Sequence, residues 1–164
     1  MNILFSTGPC VLGRVLVARS ERGVCAILLG DDAGDLARDL RQRFADATLR
    51  EAQAELAPLL SKVAAFLAQP SLGLDVPLDP HGSEFQLRVW RALREIPVGA
   101  TLSYGEVAER IGAPGSAKEV GEACAANVLA VAIPCHRVVR KNGDLAGYRW
   151  GVQRKRALLV HESR

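Results

Sequence analysis

The chain has 164 residues, 49% hydrophobic and 24% charged, with a formal net charge of +3, which is enough apolar matter for one ordinary core or two small ones and excludes a disordered chain. No apolar run approaches the roughly 18 residues of a membrane-crossing helix, and "MNILFSTGPC" carries no basic segment ahead of a long apolar one, so a cytoplasmic protein with no membrane partner is expected. The charge is uneven: residues 31–55 hold seven acids against four bases, whereas residues 137–156 hold seven bases against Asp144 alone, a pattern that fits either a polyanion partner or a solvated face.

In chain order, "VLGRVLVA" (11–18) and "VCAILL" (24–29), separated by "RSERG", predict a β-hairpin. "DLARDLRQRF" then places Leu36, Leu40 and Phe44 on one helical face. A second helix over about Leu56–Ala68 turns Leu59, Leu60, Val63 and Phe66 inward. "QPSLGLDVPLDPHG" punctuates the chain with prolines and glycines and is read as a linker, giving an α+β region over residues 1–80 and a mostly helical one over 81–164. In that second region "SEFQLRVWRALREIP" opens with a capping box, Ser83 and Gln86, and stops at Pro97. "SYGEVAERIG" repeats the device with Ser103 and Glu106, and "SAKEVGEACAAN" supplies a further helix with Ala117, Val120 and Cys124 inward. Two short helices around "APG" have the proportions of a helix-turn-helix, and equally of an ordinary helical hairpin.

Cysteines 10, 25, 124 and 135 form no CxxC pair, so reduced thiols are expected rather than disulfides or a zinc site, with Cys10, Cys25 and Cys124 read as small buried hydrophobes. "IPCHRVV" (133–139) is different. If Pro134 opens a helix after the strand-like "VLAVAI", Cys135 lies at its positive end, where a thiolate is favoured. Cys135 and His136 diverge by about 100° on a helix, so a bridging water is their natural connection. The residues alone leave two readings, a reactive thiol or a buried cysteine beside a capping histidine.

"IPCHRVV", with "SYGEVAERIG", "ACAAN" and "GYRWG", resembles the O6-alkylguanine-DNA alkyltransferases from about Phe85 to Glu162, and "LGRVLVARSERGVCAILLGDD" resembles the alkyltransferase half of the bacterial adaptive-response regulator. The resemblance implies a small ribonuclease-H-like N-terminal α/β domain packed on a helical C-terminal domain containing a helix-turn-helix. It implies single-turnover transfer of an alkyl group from guanine O6, with thymine O4 a further candidate, in duplex DNA to the protein's own cysteine, by a monomer without cofactor; some members of that family carry a structural zinc in the N-terminal part, but no Cys/His cluster stands there in this sequence and no metal is expected. Cys135 is then the acceptor, His136 takes its proton through water, Glu162 orients that histidine, Asn127 braces the hinge after the recognition helix, and Tyr104 turns the extruded base and donates a proton. The Cys135 and Val138 carbonyls, Tyr148 and the Arg149 amide contact the base. Arg137 is expected to tether the two regions.

Ala117, Lys118, Gly121, Ala125 and Ala126 would meet DNA in the minor groove. Here the chain departs from the family, which has Arg-Ala-Val where this sequence reads Lys118-Glu119-Val120. Lysine lacks the planar fork of arginine, and Glu119 and Glu122 leave residues 116–127 locally negative. Two alternatives accompany the repair reading: an alkyltransferase fold acting on free bases or another small alkyl donor, and a regulatory DNA-binding module.

Overall fold

Strand β1 (Asn2–Cys10) is the pivot of a four-stranded sheet. It pairs antiparallel with β2 (Gly13–Arg19), which pairs antiparallel with β3 (Val24–Gly30), and on its other side it pairs in parallel with β4 (Thr48–Glu51). The order is β3-β2-β1-β4. The β2–β3 hairpin follows the sequence reading, and its nearly continuous burial explains the unbroken apolar runs at 15–18 and 24–29. Strands β1 and β4 were not foreseen. β4, "TLRE", is an edge strand with largely exposed side chains, so no alternation marks it.

Helix α1 (Ala33–Arg43) packs on β2 and β3, and α2 (Gln53–Ala68) on β1 and β2. Asp32 caps α1 by accepting from Asp35 N, and Leu36, Leu40 and Phe44 are buried as the period predicts. In α2 the buried residues are Leu56, Val63, Phe66 and Leu67; the expected Leu59 and Leu60 are half-exposed. Leu59 opens onto a surface cavity beside residues 19–24, and Leu60 lies over Gly8, where an added Cβ would stand 2.8 Å from its Cδ2.

The linker is partly stitched to the sheet. Val24 N donates to Pro77 O at 2.9 Å, Asp79 N donates to Val24 O at 2.8 Å, and Ser20 Oγ donates to the Asp79 carboxylate. The approach depends on Gly23, with φ of 155°, because a Cβ there would lie 2.5 Å from the Pro77 carbonyl oxygen. Gly23→Ala is expected to cost about 2 kcal/mol, read as a lower urea midpoint at unchanged slope.

The structure, a computed structural model, describes residues 1–163 and divides into two compact units, Met1–Pro80 and the part from His81 onward. In the second unit α3 (Glu84–Arg94), α4 (Tyr104–Arg110) and α5 (Ala117–Ala126) pack on one another. Both capping boxes form: Ser83 and Ser103 accept from Gln86 N and Glu106 N, whose side chains accept in return from the serine amides. Trp90 on α3 donates from Nε1 to Ala123 O at 2.9 Å, which fixes α5 from behind. A two-residue ladder joins β5 (Leu102–Ser103) to β6 (Val138–Val139) in parallel, and α6 (Val152–Glu162) packs on the turn that precedes β6.

Candidate active site

Two expectations about the cysteine segment are corrected. "VLAVAI" is not a strand but a tight loop: Ile133 N donates to Leu129 O at 3.0 Å, Ala132 N to Ala130 O at 2.7 Å, and Val131 sits at the tip with φ of 66°. That left-handed value is costly for a β-branched residue and persists only because the surroundings hold it. Pro134 then caps a single 3₁₀ turn, Cys135–Arg137, rather than opening an α-helix. One turn carries little macrodipole.

Asn127, fully buried at the end of α5, organises the loop. Its Oδ1 accepts from Leu129 N at 2.8 Å, while Nδ2 donates to Ile133 O at 2.9 Å and to Cys135 Sγ at 3.3 Å. One side-chain amide therefore closes the loop at both ends and holds the sulfur. Burial pushes the Cys135 thiol up to about 11, with the Asn127 hydrogen bond and the charge of Lys155 pulling the other way. The thiol is protonated at rest, contrary to the helix-end argument.

His136, fully buried, meets Glu162 across 26 residues of chain, Nε2 to Oε2 at 2.8 Å. Arg137 donates to the same carboxylate twice, Nε to Oε1 and Nη2 to Oε2, both at 2.9 Å, and from Nη1 to Ile96 O at 2.6 Å. Burial opposes ionisation of Glu162, but the hydrogen bonds from His136 and Arg137 and their charges prevail and hold its carboxyl down at about 2. Burial lowers the His136 pKa more than Glu162 raises it, so the imidazole is neutral. With Nε2–H donated to Glu162, Nδ1 is the basic nitrogen, and it is buried with no protein partner. Among the described residues the Arg137 side chain bonds to Glu162 and to Ile96 O, which makes it an anchor of Glu162.

Cys135 lines a pocket of about 600 Å³ walled by α5 through Ala117, Lys118, Gly121, Cys124 and Ala125, by Tyr104, and by the 146–149 loop. Ala126, at the end of α5, does not line it. Val138 is fully buried in the β5–β6 ladder, and its N–H already donates to the Cys135 carbonyl, which keeps a second lone pair. Tyr104 lies beside Gly121, where an added Cβ would meet its ring at 3.8 Å, and burial pushes the Tyr104 phenol up to about 12. Tyr148 stacks edge-on against Trp150 at 5.3 Å, and its buried hydroxyl has no protein partner. Arg149 donates to Ala125 O at 3.1 Å, tying the loop wall to the α5 wall.

The family model for the 6-O-methylguanine DNA methyltransferase DNA binding domain matches residues 84–164. The inducible methylated-DNA–protein-cysteine methyltransferase of Bacillus subtilis is 41% identical over 124 residues, 76% of this chain and 69% of that protein. A crystal structure of the Mycobacterium tuberculosis O6-methylguanine methyltransferase superposes with a TM-score of 0.76 at 35% identity, covering 98% of this chain and 93% of that one. The chain belongs to the O6-methylguanine-DNA methyltransferase family. As a member of it, the chain is also 50% identical over 163 residues to the bifunctional transcriptional activator/DNA repair enzyme Ada of Escherichia coli, 99% of this chain and 46% of that protein. It thus spans about half the length of that relative. Within this methyltransferase fold the described residues contain no helix long and apolar enough to cross a membrane.

Sequence reasoning missed Lys155 and the pocket position of Cys124, both buried. Lys155 was legible in principle, since it precedes Leu158 by three residues and Glu162 by seven, the spacing of one helical face.

Proposed function

We propose that the chain repairs duplex DNA by accepting an alkyl group from guanine O6 on Cys135, once. The observation that carries this is the Cys135 sulfur at the floor of an open pocket, held by Asn127 and adjoining a His136–Glu162 pair whose second histidine nitrogen is free to accept a proton. Sγ attacks the alkyl carbon in line; the S–C bond forms as the C–O6 bond breaks, and the electron pair leaves on guanine. The thiol proton passes through a water to His136 Nδ1, and the ionised Glu162 stabilises the resulting imidazolium. Tyr104, protonated at neutral pH, donates to the departing base. The Cys135 and Val138 carbonyls, Tyr148 and the Arg149 amide orient the base. No cofactor or metal enters this scheme.

The base reaches the pocket by leaving the duplex, at a cost of a few kcal/mol. α4 and α5 act as a helix-turn-helix, with Ala117, Gly121, Ala125 and Ala126 permitting close approach to DNA. The β3-β2-β1-β4 order with its parallel edge strand supports a ribonuclease-H-like reading of residues 1–80, and residues 81–164 form the alkyl-transfer and DNA-binding domain. A structure of the M. tuberculosis relative in complex with DNA supports a duplex partner here. The test is stoichiometry: labelled methyl from an O6-methylguanine duplex should reach one equivalent per chain and stop. Continued turnover, or no uptake by folded protein, would overturn the proposal.

Lys118 and Glu119 are both exposed, and Lys118 lines the pocket mouth. The substitutions Lys118→Arg and Glu119→Ala together are expected to raise duplex affinity and repair several-fold, most at low salt, while reaction with free O6-benzylguanine changes little. Equal gains on both substrates would place the effect in the chemistry rather than in base extrusion.

A further inference from the structure

Two walls of the Cys135 pocket meet at a single side-chain hydrogen bond. Residues 145–149 carry Tyr148 and the Arg149 amide, yet they belong to no helix or strand and follow Gly143, whose φ is 86°. Among the described residues, 145–149 form two hydrogen bonds. Gly151 N donates to Tyr148 O at 3.0 Å, which closes the loop on itself, and Arg149 Nη1 donates to Ala125 O at 3.1 Å, which reaches α5. The acceptor is free for a reason that lies at the cysteine. In a continuing helix Ala125 O would take the N–H of residue 129, but Leu129 N donates to Asn127 Oδ1 at 2.8 Å instead. The side-chain amide that holds the Cys135 sulfur therefore also releases the carbonyl that the loop grips. On the donor side, Arg149 Cζ stands 5.9 Å from the centre of the buried Trp150 ring, which steers the guanidinium toward α5. Arg149 and Ala125 both line the pocket, and among the described residues no carboxylate pairs with Arg149.

We infer that the Arg149 side chain is a positioning residue for alkyl transfer: by donating to Ala125 O it sets the gap between the base-contacting loop and α5, so the pocket is shaped before the base arrives. This role rests on the repair function and is separate from that of the Arg149 main-chain amide. Ordering a loop costs free energy per residue. Here that cost is met in the free protein, so the extruded base does not have to supply it on entry. The side chain acts on the base through the loop, and on neither the thiol nor the duplex. A plain cap on the last turn of α5 would satisfy the same carbonyl, but it would alter stability and leave the capture of the base untouched.

Arg149→Ala should lower the limiting single-turnover rate on a saturating O6-methylguanine duplex roughly tenfold. Affinity for the unmodified duplex and carboxamidomethylation of Cys135 by iodoacetamide should both stay at native levels. Arg149→Lys, which can still donate to one carbonyl, should recover most of the rate. An unchanged rate in folded Arg149→Ala would overturn the inference. So would a matching loss of affinity for the unmodified duplex, which would make Arg149 a phosphate contact, or a matching loss of iodoacetamide reactivity, which would place its action on the sulfur. A second readout needs no alkyl transfer: backbone amide order parameters of residues 145–149 in the free protein should fall in Arg149→Ala and return in Arg149→Lys. Unaltered order parameters would overturn the inference even where the rate falls. A native chain that takes up no methyl defeats the repair reading, whereas a loop loosened by Arg149→Ala would still support the tie.

Discussion

A Cys135→Ser chain is expected to take up no methyl from an O6-methylguanine duplex, and in the native chain the methyl should map to Cys135 and to no other cysteine. The loss should be several orders of magnitude, as for removal of a nucleophile elsewhere, because serine would have to ionise in the same buried environment from a far higher starting pKa. The other thiols cannot substitute. Cys25 is buried in β3, and burial, with Asp79 adding to it, pushes its thiol up to about 12. Cys10, on β1, is not among the residues that line the Cys135 pocket. Cys124 does line the pocket, but burial and the neighbouring Cys135 raise its pKa further still, and among the described residues no side-chain amide bonds it as Asn127 bonds Cys135. Peptide mass spectrometry after single-turnover reaction checks this. Methyl chiefly on Cys124 would move the acceptor to the pocket wall.

Glu162 carries the second large effect, and it splits by substitution. Glu162→Ala strips Arg137 of its carboxylate and His136 of its acceptor, leaving a buried guanidinium uncompensated, so a loss of about 3–5 kcal/mol of stability is expected. Glu162→Gln also removes the charge that compensates Arg137 but keeps the shape and one acceptor, so it should fold with a smaller loss of stability and transfer alkyl roughly a hundredfold more slowly, with duplex affinity intact. An unchanged single-turnover rate in the glutamine variant would remove the relay from the mechanism. The same group sets the acid response. Its folded pKa of about 2 lies below the ordinary 4.5, so the unfolded chain binds the proton first. That stabilisation, about 3 kcal/mol, is full at neutral pH, falls as pH drops below about 4.5, and is gone below about 2. The folded pKa of His136 is also depressed, so its contribution begins to fail as pH drops through 6.5. Denaturation midpoints measured from pH 7 to pH 3 should decline throughout, and Glu162→Gln should flatten the lower part of that decline.

What the sequence determined by itself is what spacing encodes over a few residues. The two capping boxes, the Leu36–Leu40–Phe44 face and the β2–β3 hairpin stand where pattern put them, because caps and amphipathic periods are satisfied within one or two turns of chain. The Pro-Cys-His triplet was visible, but its environment was not: read locally, it suggested a helix end and a lowered thiol pKa, whereas the loop closed by Asn127 gives a single 3₁₀ turn and a raised one. The tertiary structure alone decided the rest. Parallel pairing of β4 with β1 joins residues some 46 apart, with no alternation in an exposed edge strand to announce it. His136 finds Glu162 across 26 residues, and Lys155 is buried, because α6 lays one face on the cysteine turn. A charge on a helix reads as solvated until packing removes the water; whether it is then a cost or a tool depends on what that packing brings within reach.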